Sequence, residues 1–162
     1  MNWTPPGPSL AEISTASPEE TEALGERIAG DLRPGSVLAL RGVLGAGKTC
    51  LARGIARALG VAEAVTSPTY TIVSEYEARP ALQSEDDPLT CPLYHIDAYR
   101  LAGEDDFEAL GGRELLYGGG ICLIEWSERI ESALPPGTIR VEIEITGEHT
   151  RIIRISGGND PR

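Results

Sequence analysis

The stretch Arg41–Thr49, RGVLGAGKT, carries the most specific chemistry in the chain. Gly42, Gly45, Ala46, Gly47, Lys48 and Thr49 satisfy the spacing G-x-x-x-x-G-K-[ST], the phosphate-binding P-loop. Glycines let the backbone curl until successive N–H groups point at one anion. Lys48 supplies a compact ammonium for the β- and γ-phosphates, and the Thr49 hydroxyl suits Mg²⁺. Lys48 is also the only lysine; every other cationic side chain is arginine. A small ammonium is retained where a planar guanidinium would not fit.

Hydrolysis needs a second hold on the metal and a group near the terminal phosphate. In P-loop proteins these come from acids at the carboxyl ends of strands beside the P-loop strand. Glu125 closes GICLIE and Asp97 closes LYHID. Glu125, after the more uniformly apolar run, is the metal-side acid together with Thr49, and Asp97 is the switch residue near the γ-phosphate. The competing reading of each is a strand-terminal acid in solvent. Thr69, after the P-loop helix, is either a switch hydroxyl or the start of a strand. His95 alternates with Asp97 and is read as its hydrogen-bonding support or as a packed residue. Trp126 is read as a packed aromatic or a partner contact.

The elements that must position these groups follow from apolar periodicity. Ser36–Leu40 is the strand entering the loop, and Thr49–Leu59 has helical spacing. Leu10–Ser14 is a short edge strand. Ser17-Pro18-Glu19-Glu20 starts a helix to about Asp31, with Leu24, Ile28 and Leu32 buried. A β-rich stretch, TIVSEYE, begins at Thr71, and residues 79–91 form a solvated hairpin loop leading to LYHID. Two short helices, over 105–110 and 113–116, precede the ICLI strand. A brief helix follows at Ser127–Ala133. Ile139–Ile145 and Arg151–Ile155 alternate and form an antiparallel hairpin. The expected architecture is α/β: a P-loop NTPase-like mixed sheet with helices on both faces, in a single domain over 1–162, with 1–8 mobile.

A chain of 162 residues can bury a real core without staples. The net charge of −11 opposes binding nucleic acid through a general basic surface, since the phosphate term would be repulsive. Cys50, Cys91 and Cys122 have no C-x-x-C spacing, which points to reduced thiols and a cytoplasmic protein. No signal peptide is expected, and no run approaches the roughly 20 apolar residues of a membrane span. Guanine recognition by [NT]-K-x-D needs a second lysine, and Asp97-Ala98-Tyr99-Arg100 is not D-x-x-G. Adenine is the better base.

Taken in order, G-x-L-G-A-G-K-T, S-P-T-Y-T, Y-H-I-D-A-Y-R-L and C-L-I-E-W resemble the TsaE (YjeE) family over about residues 10–156. The resemblance implies Mg²⁺-ATP binding and an ATPase that is weak alone. It implies action on the threonylcarbamoyltransferase subunits TsaB and TsaD in forming N6-threonylcarbamoyladenosine in tRNA, with hydrolysis resetting that complex. By motif, Gly45–Thr49 hold phosphates, Thr49 and Glu125 serve Mg²⁺, Thr69 is the switch hydroxyl and Asp97 the acid of H-x-D-x-Y-R. Two positions depart from the family: Val43 stands where Asp is usual, and Cys50 where Thr is usual. Val43 is expected to point away from the phosphates; Cys50 removes a hydroxyl from the α-phosphate side and weakens affinity modestly. The alternatives are a small-molecule P-loop kinase and a nucleotide-gated interaction module without significant turnover.

Overall fold

A computed structural model describes residues 10–80 and 90–158. The expectations for residues 1–8, and for most of the 79–91 loop, lie outside the described residues. In chain order the elements are β1 (Ala11–Thr15), α1 (Pro18–Ala29), β2 (Val37–Arg41), α2 (Lys48–Ala58), β3 (Val73–Ala78) and β4 (Cys91–Asp97). They continue with α3 (Glu104–Ala109), α4 (Gly112–Tyr117), β5 (Ile121–Glu125), a 3₁₀ segment (Ser127–Ala133), β6 (Ile139–Ile145) and β7 (Arg151–Gly157).

The strands form one seven-stranded sheet in the order β1-β7-β6-β2-β5-β4-β3. β2 pairs in parallel with β6 and β5, and β5 with β4. The β1–β7, β6–β7 and β3–β4 pairs are antiparallel. The expected mixed sheet and both hairpin pairings are therefore present.

Period-2 alternation assigns the two faces. Leu38 and Leu40 of β2 and Leu123 of β5 join Leu24, Ile28, Leu51 and Ile55 of α1 and α2 in one core. Val37, Cys122 and Ile124 point the other way, to Phe107, Leu116 and Ile130. All of β5 is buried, as a central parallel strand between two helical layers must be.

Local chemistry explains how α1 is placed. The Ser17 hydroxyl accepts from Glu20 N at 3.1 Å, and the Glu20 carboxylate accepts from Ala16 N at 2.7 Å, a reciprocal cap. The helix ends at Ala29, two residues before the expected Asp31. Gly25 and Gly54 let α1 and α2 touch. A Cβ on Gly25 would stand 2.4 Å from Leu51 O, and one on Gly54 would stand 2.1 Å from Glu22 O. This contact sets the start of α1 beside the P-loop helix.

The β3 expectation needs correction at its start. Thr71 and Ile72 lie in a turn, and the strand begins at Val73. Ile72 has φ 67°, its N–H donates to Pro68 O at 2.8 Å, and its carbonyl accepts from Asp97 N at 2.8 Å. The N–H of Ile72 is thus spent inside the turn, and only its carbonyl meets the end of β4.

Candidate active site

β2, β5 and β4 end side by side, with Leu40 opposite Glu125 and Glu125 opposite Asp97. This register brings the loop 42–47 and both acids to one edge of the sheet. There Gly45–Cys50, Ser67, Thr69, Asp97, Tyr99, Glu125 and Trp126 line a cavity of about 480 Å³. Every predicted site residue except Gly42 lines it directly.

The loop curls as the motif requires. Gly45 and Gly47 have φ of 80° and 112°, a region where a Cβ is strained, and Gly47 leads straight into α2. The N-terminus of α2 therefore faces the cavity with its free N–H groups and positive dipole end. Lys48 is 6% exposed. Its ammonium donates to Gly42 O and, at 3.2 Å, to Val43 O, and it sits 4.0 Å from the centroid of the Trp126 ring. Burial pushes its pKa down, against the opposing pull of Glu125, Glu128 and Asp97. Val43 is 63% exposed and lies outside this cavity.

Opposite the loop, the hydroxyls and carboxylates form one network. Thr49 donates to Glu125 Oε1 at 2.6 Å. Ser67 Oγ lies 2.9 Å from Asp97 Oδ2 and 3.1 Å from Glu125 Oε2, so its proton ties the two acids together. Thr69 Oγ1 is 3.3 Å from Ser67 Oγ. Asp97 also accepts from Tyr99 N at 2.9 Å. Asp97 and Glu125 are 4% and 2% exposed, so the reading of either as a solvent-facing strand end does not hold. Burial pushes the Glu125 carboxyl up, but contacts from His95, Thr49 and Ser67 together outweigh it, and the group stays below the usual carboxylate range.

Hydroxyl and carboxylate oxygens are the hard donors that Mg²⁺ prefers. Thr49 and Glu125 would hold such an ion by one oxygen each, leaving the rest of its shell to phosphate oxygens and water. Among the described residues no group of three or more His, Cys, Asp or Glu side chains could hold a metal by itself. The residues present thus fit a cation that comes with its phosphates.

Some placements differ from the sequence reading. His95 is fully buried with neither ring nitrogen hydrogen-bonded; its Nε2 lies 3.4 Å from Glu125 Oε2, so it is a packed residue beside Glu125 and not a hydrogen-bonding support of Asp97. The strand pleat sends alternate residues to one face, but the angle of each side chain across to β5 is not encoded in that spacing. Thr69 belongs to the loop before β3 rather than to a strand. Cys50 lines the cavity with its thiol donating to Pro18 O at 3.2 Å, and burial, then Glu22, push its pKa up.

Three contributors were not foreseen. Ser67 joins the two acids; its Ser-Pro-Thr context marked a loop but not this role. Tyr99 packs on Trp126 at 4.9 Å between ring centroids. Arg151, far along the chain, donates to P-loop carbonyls.

A family model described as Threonylcarbamoyl adenosine biosynthesis protein TsaE matches residues 15–153. The tRNA threonylcarbamoyladenosine biosynthesis protein TsaE of Treponema pallidum is 40% identical over 140 residues, spanning 86% of this chain and 96% of that protein. Its namesake in Bacillus subtilis is 43% identical over 139 residues, spanning 86% and 80%. The crystal structure of Bacillus subtilis YdiB is similar with a TM-score of 0.72 at 35% identity, covering 93% of this chain and 87% of that one.

Proposed function

This chain belongs to the TsaE family, and from that premise we propose that it is a Mg²⁺-dependent ATPase of tRNA threonylcarbamoyladenosine formation. It acts in the cytoplasm on the TsaB and TsaD subunits of the threonylcarbamoyltransferase, and its hydrolysis of ATP resets that complex between turnovers. One observation carries the reading. A buried ammonium, a helix N-terminus and two buried acids joined by Ser67 converge on one cavity at the ends of β2, β5 and β4.

Each residue has a role that its surroundings support. Gly42, Gly45, Ala46 and Gly47 shape the cradle, and Lys48 leaves its carbonyl partners for the β- and γ-phosphates. Cys50 sits on the α-phosphate side. Thr49 and Glu125 would hold Mg²⁺, and the ion would supply charge neutralisation to the phosphate oxygens. Thr49 would ligate through a lone pair, leaving its proton free to donate to Glu125 as it does here. Thr69 and Asp97 are the switch hydroxyl and carboxylate nearest the terminal phosphate. Ser67 and His95 fix the angle of the acids. The acidic surface leaves the grip on tRNA to the partner subunits.

The test is phosphate release from ATP by this chain alone and with purified TsaB and TsaD. Weak turnover alone and a marked rise with both subunits is the expected result. Binding of ATP with no turnover in either case would replace the ATPase by a nucleotide-gated module.

A further inference from the structure

The C-terminal hairpin reaches the phosphate loop through one side chain. Arg151 opens β7, and its Nε donates to Ala46 O at 2.9 Å and its Nη2 to Gly45 O at 3.2 Å. Its Nη1 meets the carbonyls of Thr150 at 2.8 Å, Gly147 at 3.0 Å and Glu148 at 3.4 Å. Each of these acceptors is a neutral backbone carbonyl. The planar fork therefore joins two strips of backbone, the loop at 45–46 and the hairpin turn at 147–150.

This contact bears on which way the loop N–H groups point. In a trans peptide, the C=O of one residue and the N–H of the next face opposite ways. Holding Ala46 O toward the hairpin sends Gly47 N–H away from it. Holding Gly45 O likewise orients Ala46 N–H, which donates to Val43 O at 3.0 Å inside the loop. Gly45 and Gly47 flank this point with φ of 80° and 112°, and glycine backbones hold such peptide planes weakly by themselves.

We infer that Arg151 is a positioning residue for nucleotide binding: it locks the 45–47 peptide planes, keeping Ala46 N–H in the loop's own turn and Gly47 N–H turned away from the hairpin and open to phosphate, and ties that orientation to the tip of the β6–β7 hairpin. The inference rests on the nucleotide reading above and adds a residue that the loop motif does not contain.

The experiment compares the full chain with its Arg151→Gln and Arg151→Lys variants. Binding of N-methylanthraniloyl-ADP and the KM and kcat for ATP with the partner subunits present are the readouts. Arg151→Gln is expected to bind the probe about tenfold more weakly and to raise KM by a similar factor, with kcat within about threefold. Lysine keeps the charge but cannot set two fixed donors on neighbouring carbonyls, so Arg151→Lys is expected to weaken with Gln. Wild-type affinity in either variant overturns the inference, and so does a fall in kcat at unchanged KM. If thermal melting shows that Arg151→Gln does not fold, Arg151→Lys decides by the same two readouts. A wild-type chain that fails to bind the probe contradicts the nucleotide reading itself and the inference with it, a result distinct from equal binding by wild type and variant.

Discussion

At the ends of β2, β5 and β4, Lys48, Asp97 and Glu125 are 6%, 4% and 2% exposed, the two acids bridged by Ser67 and Glu125 bonded also to Thr49. Across the β1–β7–β6 side of the same sheet, Arg154 holds Glu12 at 3.0 Å and Glu144 at 2.8 Å, with the two acids half-exposed. Both regions gather opposite charges, but only the outer one pairs arginine and carboxylate directly; in the buried one Lys48 donates to backbone carbonyls and the acids accept from hydroxyls. Exposed pairs cost little to form and contribute little, because water screens them. Buried charges must be held against a desolvation cost of several kcal/mol each, and that cost is offset only by good partners. Four such groups, His95 included, at one buried strand edge are the pattern of a functional site, which is what the proposed ATPase reading uses. Charge density alone would not have distinguished the two regions; burial and convergence do.

The largest effects should come from cutting the buried region. Lys48→Ala and Glu125→Gln should each lower ATP turnover by about a hundredfold or more in a phosphate-release assay, with circular dichroism unchanged. Turnover retained in both would erase the distinction between the two regions. Ser67→Ala removes the hydroxyl between the acids without touching either, and should lower turnover by about tenfold. A wild-type rate there would mean that the acids keep their angles without it.

A third test uses a buried group away from the site. The Cys122 thiol, inside the fully buried β5 and donating to Leu115 O at 3.3 Å, is pushed by burial up to about 12 from 9.0. Its raised pKa means that the folded protein keeps a proton which the unfolded chain releases. Stability is therefore full below about pH 9 and falls as pH rises toward 12, by up to about 1.4 kcal/mol per pH unit. Denaturant titrations of wild type and Cys122→Ala should converge as pH rises. A parallel pH dependence in both would remove the thiol as its cause. The smallest effect belongs to the outer edge: Arg154→Ala should leave melting temperature and nucleotide binding within error of wild type. A clear loss of either would bring that edge into the functional account.

The difference between local and distant information explains what could be read in advance. The P-loop was legible because its residues are consecutive and its chemistry is set by backbone shape. Glu125 and Asp97 were legible because each ends an apolar run, and parallel strands bring such ends together. The hairpin of β6 and β7 followed from strict alternation around Gly147. Ser67 was hidden because its value depends on two strands meeting opposite a loop. Arg151 was hidden because its partners at 45–46 lie over a hundred residues earlier, and an arginine opening a strand carries no mark of backbone acceptors. His95 was left between supporting Asp97 and packing, because spacing gives the face of a strand but not the reach of a side chain to its neighbour. Thr71 and Ile72 looked like strand by composition, but a turn closed by Ile72 N–H on Pro68 O, with Ile72 at φ 67°, delays the strand to Val73.

The most direct test of the central claim is a crystal structure with Mg²⁺ and a non-hydrolysable ATP analogue. The account predicts the β- and γ-phosphates against Lys48 and the amides that open α2, with the metal held by Thr49 and Glu125. A nucleotide bound elsewhere, or a metal that touches neither Thr49 nor Glu125, would contradict it.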